Sequence, residues 1–286
     1  MYDVTSSFNT GEYHGYNVKY SPFRKNLLAC AASENFGLAG KGGLFVLEVR
    51  NSKQITPLTH RNWVDGIYDV SWSELNPELL LTSCNDGTIL IWDIILGPDP
   101  VSSYKIHDKE VLSVEWNPQN AYTYILSASW DHTVKLWDPF SAKEVSAFLE
   151  HSNQVFQASW SPHCVETFAS VSADGTLRLW DIRTPQQSIA CYHHDSEVLC
   201  CDWDKIDSGI IATVRRIKFS PFEPGRLASV SYDFTTRFWD WNETQALQIR
   251  KEHSEFVFGL DFNPKTRNEV CDCAWDSLLC IYNNRT

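Results

Sequence analysis

Within 25 residues, His107, Ser127 or Ser129 and Asp131 supply the imidazole, hydroxyl and carboxylate of a nucleophile–base–acid triad, the chemistry of acyl transfer. The same residue types return further on, His151 with Asp174 and His253 with Asp276, and an aromatic follows the first two sets at the same spacing, Trp137 and Trp180. A catalytic nucleophile is unique and activated by one base, so a set that recurs points to side chains bracing a repeated structure. The nine cysteines are odd in number, form no C-x-x-C pair, and at Cys200-Cys201, Cys271 and Cys273 fit buried strands; reduced thiols and no metal are expected. GKGG at Gly40 to Gly43 is too short for a phosphate loop and lacks its Ser or Thr. No cofactor and no enzyme activity are expected.

The elements that would hold such recurring sets must themselves recur. Twelve tryptophans in 286 residues, evenly scattered, belong to a repeated unit rather than to one aromatic site. With 43% hydrophobic residues the chain has ample material for a core. A formal charge of −12 argues against broad nucleic-acid binding, which needs clustered Lys and Arg, and favours basic partners. The N-terminus carries no targeting pattern, and no window reaches the roughly 20 apolar residues that span a bilayer.

Three segments align: SVEWNP…ILSASWDHTVKLWD from Ser113, QASWSPHCVETFASVSADGTLRLWD from Gln157, and IKFSPFEPGRLASVSYDFTTRFWD from Ile217. Each reads as a strand closing on an aromatic, a Ser-Pro or Asn-Pro turn, an apolar strand, an Asp-centred turn, and a strand closing on Trp-Asp. This resembles the WD repeat, which implies an all-β propeller with about 43 residues per four-stranded blade. In WD blades His107, Ser127 or Ser129, Asp131 and Trp137, and likewise His151, Asp174 and Trp180, have the spacing of a structural hydrogen-bond network.

First-strand aromatics fall at Tyr20, Trp72, Trp116, Trp160, Trp203, Phe219 and Phe262, seven starts. Third-strand closures fall at Leu47, Trp92, Trp137, Trp180, Trp239 and Tyr282, six ends. The interval from Trp180 to Trp239 is 59 residues where two repeats take about 86. About 28 residues are therefore missing between Thr213 and Val214. The expected fold is a seven-bladed parent with one blade truncated, repeat five lacking its third and fourth strands. Losing part of a repeat leaves an unpaired edge, so the gap reads as an alternative transcript or gene-model artefact. Residues 1–286 form a single domain in this reading, with 1–12 as a ring-closing strand and a disrupted junction near 209–219.

Propellers usually bind on the face formed by the loops before each first strand. At one repeat position there stand Tyr16, Tyr68, Leu112, Phe156, Leu199, Arg215 and Phe258, six of them apolar, and Trp130, Tyr232 and Trp275 precede the turn Asp on the same face. Acids stand nearby at Asp65, Glu110 and Glu197. An apolar groove with acidic spots complements an amphipathic helix bearing basic and leucine-type residues.

HGY at His14, LACAASENFGLAGKGGLFVLE from Leu28, DGIYDVSWSE from Asp65, SWDHTVKLWDP from Ser129, RRIKFSPF from Arg215, SYDFTTRFWDW from Ser231 and DCAWDSLLCIY from Asp272 resemble the receptors for the type-2 peroxisomal targeting signal, the peroxin 7 family. The resemblance implies a shuttling import receptor, cytoplasmic and cycling to the peroxisomal matrix, that makes and breaks no bond. Its implied partners are matrix enzymes carrying the signal, an import co-receptor of the peroxin-5 long form or its fungal equivalent, and the docking machinery. From register and chemistry, Asp65, Glu110 and Glu197 are the candidates to meet the signal's basic residues, and Tyr68, Leu112, Trp130, Phe156 and Trp275 to take its leucines. The shortened chain is expected to bind weakly or not at all. The alternative is a generic WD-repeat adaptor, such as a ubiquitin-ligase substrate receptor.

Overall fold

The computed structural model describes residues 2–50, 54–119, 123–214 and 216–284. Six four-stranded antiparallel sheets and one two-stranded sheet follow one another along the chain as the blades of a propeller. The inner strands are His14–Tyr20, Ile67–Trp72, Val111–Trp116, Val155–Trp160, Cys200–Trp203, Ile217–Phe219 and Val257–Phe262, one per blade. Among the described residues the helical content is one 3-10 turn, Glu34–Gly37.

The Ser-Pro and Asn-Pro pairs turn the chain because the side chain before the proline caps backbone amides two and three residues on. Ser21 Oγ accepts the amides of Phe23 and Arg24, Ser220 Oγ those of Phe222 and Glu223, and Asn263 Oδ1 those of Lys265 and Thr266. Ser73, preceding Glu74, and Asp204, preceding Lys205, do the same without proline, so the capping side chain is the constant feature. Second strands such as Leu27–Ser33 are buried along their whole length. They lie between neighbouring blades: Ala29, Ala31 and Leu44 of blade one pack on Val70, Leu80 and Trp92 of blade two.

Adjacent blades are stitched at the axis by inner-strand side chains. Asp261 accepts the Tyr20 amide at 2.9 Å, Glu115 that of Trp160 at 2.8 Å, and Asp202 that of Phe219 at 2.7 Å. The ring is fastened by Tyr2–Asn9, which pairs antiparallel with Leu278–Asn284 as the outer strand of blade seven.

Blade five consists of Cys200–Trp203 paired with Ile211–Val214. Val214 pairs with Cys200, so it belongs to this second strand rather than to blade six, one residue beyond the boundary read from sequence. Blade six begins at Ile217, and Arg215 lies outside the described residues. The missing half-blade leaves a mark on blade six. Leu80, Ile125, Phe168 and Val270, each opposite a closing Trp or Tyr, are fully buried, whereas the equivalent Leu227 and its partner Trp239 in blade six are only partly covered.

Candidate functional site

The groove position of the repeat is a β-bulge. In blades one, two, three, four and seven the pairing of the inner strand skips one residue, and the skipped residues are Tyr16, Tyr68, Leu112, Phe156 and Phe258. A bulge places two residues opposite one and re-aims a side chain. Here five large side chains converge at one end of the channel. They line a cavity of about 330 Å³ together with Phe36, Leu38, Glu110, Trp130, Leu199, Arg216, Tyr232, Val257 and Trp275.

Trp275 and Phe258 stack at 4.7 Å, and Tyr16 reaches both, at 5.8 and 5.5 Å. Phe36 and Phe256 extend the cluster at 5.2 and 5.5 Å from Trp275, and Tyr232 stacks on Phe256 at 4.3 Å. Burial pushes the Tyr16 and Tyr68 phenols well up; Tyr68 is raised further by the nearby Glu110 and Asp65 carboxylates. Tyr68 donates its hydroxyl to Asn85 at 2.8 Å, and Asn85 in turn holds Asp65 at 3.1 Å. Glu110 lines the cavity, Asp65 sits behind Tyr68 off the lining, and Glu197 stands exposed away from the wall. Of the eight candidate residues the cavity thus brings together Tyr68, Glu110, Leu112, Trp130, Phe156 and Trp275.

Sequence reasoning missed Phe36 and Leu38. They come from an irregular turn in which Asn35 and Phe36 adopt positive φ, 47° and 56°, a conformation no repeat pattern encodes. The indole N–H groups of Trp130 and Trp275 and Nε of Arg216 are buried with no acceptor among the described residues.

The His-Ser-Asp sets lie in the blade walls. In blade four Trp180 Nε1 donates to Ser170 Oγ at 2.7 Å, Ser170 lies 2.7 Å from His151 Nε2, and His151 Nδ1 lies 2.8 Å from Asp174. Burial would raise the Asp174 carboxyl, but Thr176 and His151 hold it at about 2. In blade three His107 joins Ser127 and Asp131, both at 2.7 Å, so Ser127 and not Ser129 is the member; the Trp137 N–H reaches no acceptor among the described residues. Blade six has lost its histidine with the missing loop, and Asp233 pairs instead with Arg237. In blade seven Asp272 replaces the serine, so His253 lies between two carboxylates, 3.0 Å from Asp272 and from Asp276. Burial would lower this imidazole, but the carboxylates hold it far above its ordinary value. Cys280 completes, with His253 and Asp272, a buried group whose polar side-chain atoms lie within 4.8 Å of one another.

A family model described as "WD domain, G-beta repeat" matches residues 52–93, 98–138 and 142–181. The chain is 41% identical to the peroxisomal targeting signal 2 receptor of Mus musculus, across 94% of each chain, and 41% identical to that of Homo sapiens, across 86% of this chain and 85% of the human one. It is 28% identical to the receptor of Saccharomyces cerevisiae across 95% of this chain and 97% of the yeast protein. The mouse alignment runs over 299 positions while taking in 94% of 286 residues, so roughly thirty positions have no counterpart here, the size of the missing half-blade.

Proposed function

Because the chain belongs to the family of peroxisomal targeting signal 2 receptors, we propose that it binds the N-terminal type-2 signal of peroxisomal matrix enzymes in the cavity built on Tyr16, Tyr68, Leu112, Phe156 and Phe258. The observation that carries this reading is the set of five bulges, which turns one apolar position in each of five repeats toward a single cavity. Leucines of an amphipathic helix bury against Phe258, Trp275 and Leu112. Glu110, with Asp65 behind Tyr68, draws the signal's Arg or Lys through charge-assisted bonds.

The receptor collects cargo in the cytosol, is clamped by a co-receptor of the peroxin-5 long form or its fungal equivalent, and meets the docking machinery at the peroxisome. Sequence reasoning expects the shortened chain to bind poorly. All seven inner strands are in place, so we assign the impairment to stability rather than to the groove. The test is rescue of import in cells lacking their own receptor, using a reporter that carries a type-2 signal. This chain restores import at a reduced protein level, Trp275→Ala fails at an unchanged level, and rescue by Trp275→Ala equal to the parent overturns the assignment of the cavity.

A further inference from the structure

Between blades four and six lies the place of blade five's third and fourth strands, a slot that no strand among the described residues fills. Its floor is the outer edge of Ile211–Val214, which no strand among the described residues covers. Its walls continue the packed interface between blades four and five: Leu179 and Ile211 lie partly covered at the margin of that core, and Ile189, opposite Leu179, is 69% exposed. On the other side stand the half-covered Leu227 and Trp239, with Ile249 at 47% exposure. The other six blades show what fills this position: a third and a fourth strand, the third largely apolar, TILIW in blade two and, with one basic residue each, VKLW and TRFW in blades three and six.

We propose that this slot is a strand-addition site that takes a β-hairpin from another polypeptide, its leading strand a largely apolar run like Thr236–Asp240 pairing antiparallel with Ile211–Val214. An open edge presents unpaired backbone N–H and C=O groups in a fixed direction, and apolar walls supply the pockets for alternate side chains. The edge lies two strand spacings, roughly 10 Å, below the rim, so the equally recessed edge of a second copy does not reach it. A slender two-stranded ribbon does. The site stands apart from the aromatic cavity and does not depend on how that cavity is used.

The test is an anisotropy titration with a labelled peptide of residues 236–250, the chain's own third and fourth strands of blade six, against the whole protein. Saturable binding is expected. It weakens at least about tenfold in the double variant Ile189→Lys, Ile249→Lys, whose sites are already exposed and leave folding intact, and also with a peptide N-methylated along its pairing edge. A chain with about 28 repeat-like residues restored after Thr213 does not bind, because its own strands occupy the slot. No binding overturns the proposal. Equal binding of a scrambled peptide, or of the native peptide to the restored chain, also overturns it, since either means adsorption to apolar surface.

Discussion

Asp202 of the two-stranded blade faces Lys218 of blade six, 3.1 Å from Oδ1 to Nζ, while its other oxygen accepts the Phe219 amide at 2.7 Å. Lys205 approaches the same carboxylate at 3.0 Å. Asp202 is fully buried, and burial would raise its carboxyl; the two lysines and the Phe219 amide hold it at about 2. Burial would likewise lower Lys218, yet Asp202 and Glu115 keep it above the ordinary lysine value. A half-blade with little sheet of its own is thus seated by a charged group fixed to the next blade.

Replacing Asp202 by Ala strands Lys218 in a buried site and should cost about 3–5 kcal/mol. Urea unfolding at neutral pH measures it. The carboxyl is lowered on folding, so its contribution is present above an ordinary value of 3.8 and is lost as pH falls toward about 2. The gap between parent and variant should therefore close across that acid window.

Trp275→Ala opens the centre of the aromatic cluster and should lower affinity for the signal by about 2 kcal/mol or more, roughly thirtyfold. Because Trp275 is partly exposed, the thermal midpoint should move much less than affinity. A drop in stability with unchanged affinity would mean the ring merely plugs the channel.

Ser170→Ala removes the hydroxyl between Trp180 and His151 and leaves a buried indole N–H unpaired. A loss of about 1–3 kcal/mol is expected by denaturant titration, with peptide affinity unaltered. Ester hydrolysis abolished by this substitution would instead revive the catalytic reading of the triad.

Glu74 is pushed up to about 7, first by burial and then by Glu115. The folded chain binds the extra proton between an ordinary 4.5 and about 7, so stability falls as pH rises through that window and the cost persists above it. Glu74→Gln should be more stable than the parent above about pH 7 and no more stable below about pH 4.5. Parallel urea midpoints at the two extremes decide it.

Periodicity made the blades and the truncation legible, because a repeat that loses about 28 residues breaks its own spacing at Trp180 and Trp239. The groove position was legible as apolar residues at Tyr68, Leu112 and Phe156, but the bulge that aims them is a property of strand pairing, which one strand's sequence does not carry. Phe36 escaped because it lies in a left-handed turn outside the repeat. Glu197 reads like Glu110 in the alignment, yet it stands where blade five lacks its outer strands, and proximity in sequence to the groove did not place it on the lining. Asp272 for serine is visible as a letter; that it brackets His253 with Asp276 is a fact of packing.

Whether the aromatic cavity is the signal site is decided most directly by a fluorescence-anisotropy titration of a labelled type-2 signal peptide, with a co-receptor fragment present, against this chain. The native peptide should bind saturably, and a peptide with one Leu changed to Arg should bind at least about tenfold more weakly, because a buried unpaired charge replaces an apolar contact. Equal affinity for the two peptides, or binding of neither, would contradict the assignment of the cavity as the signal site.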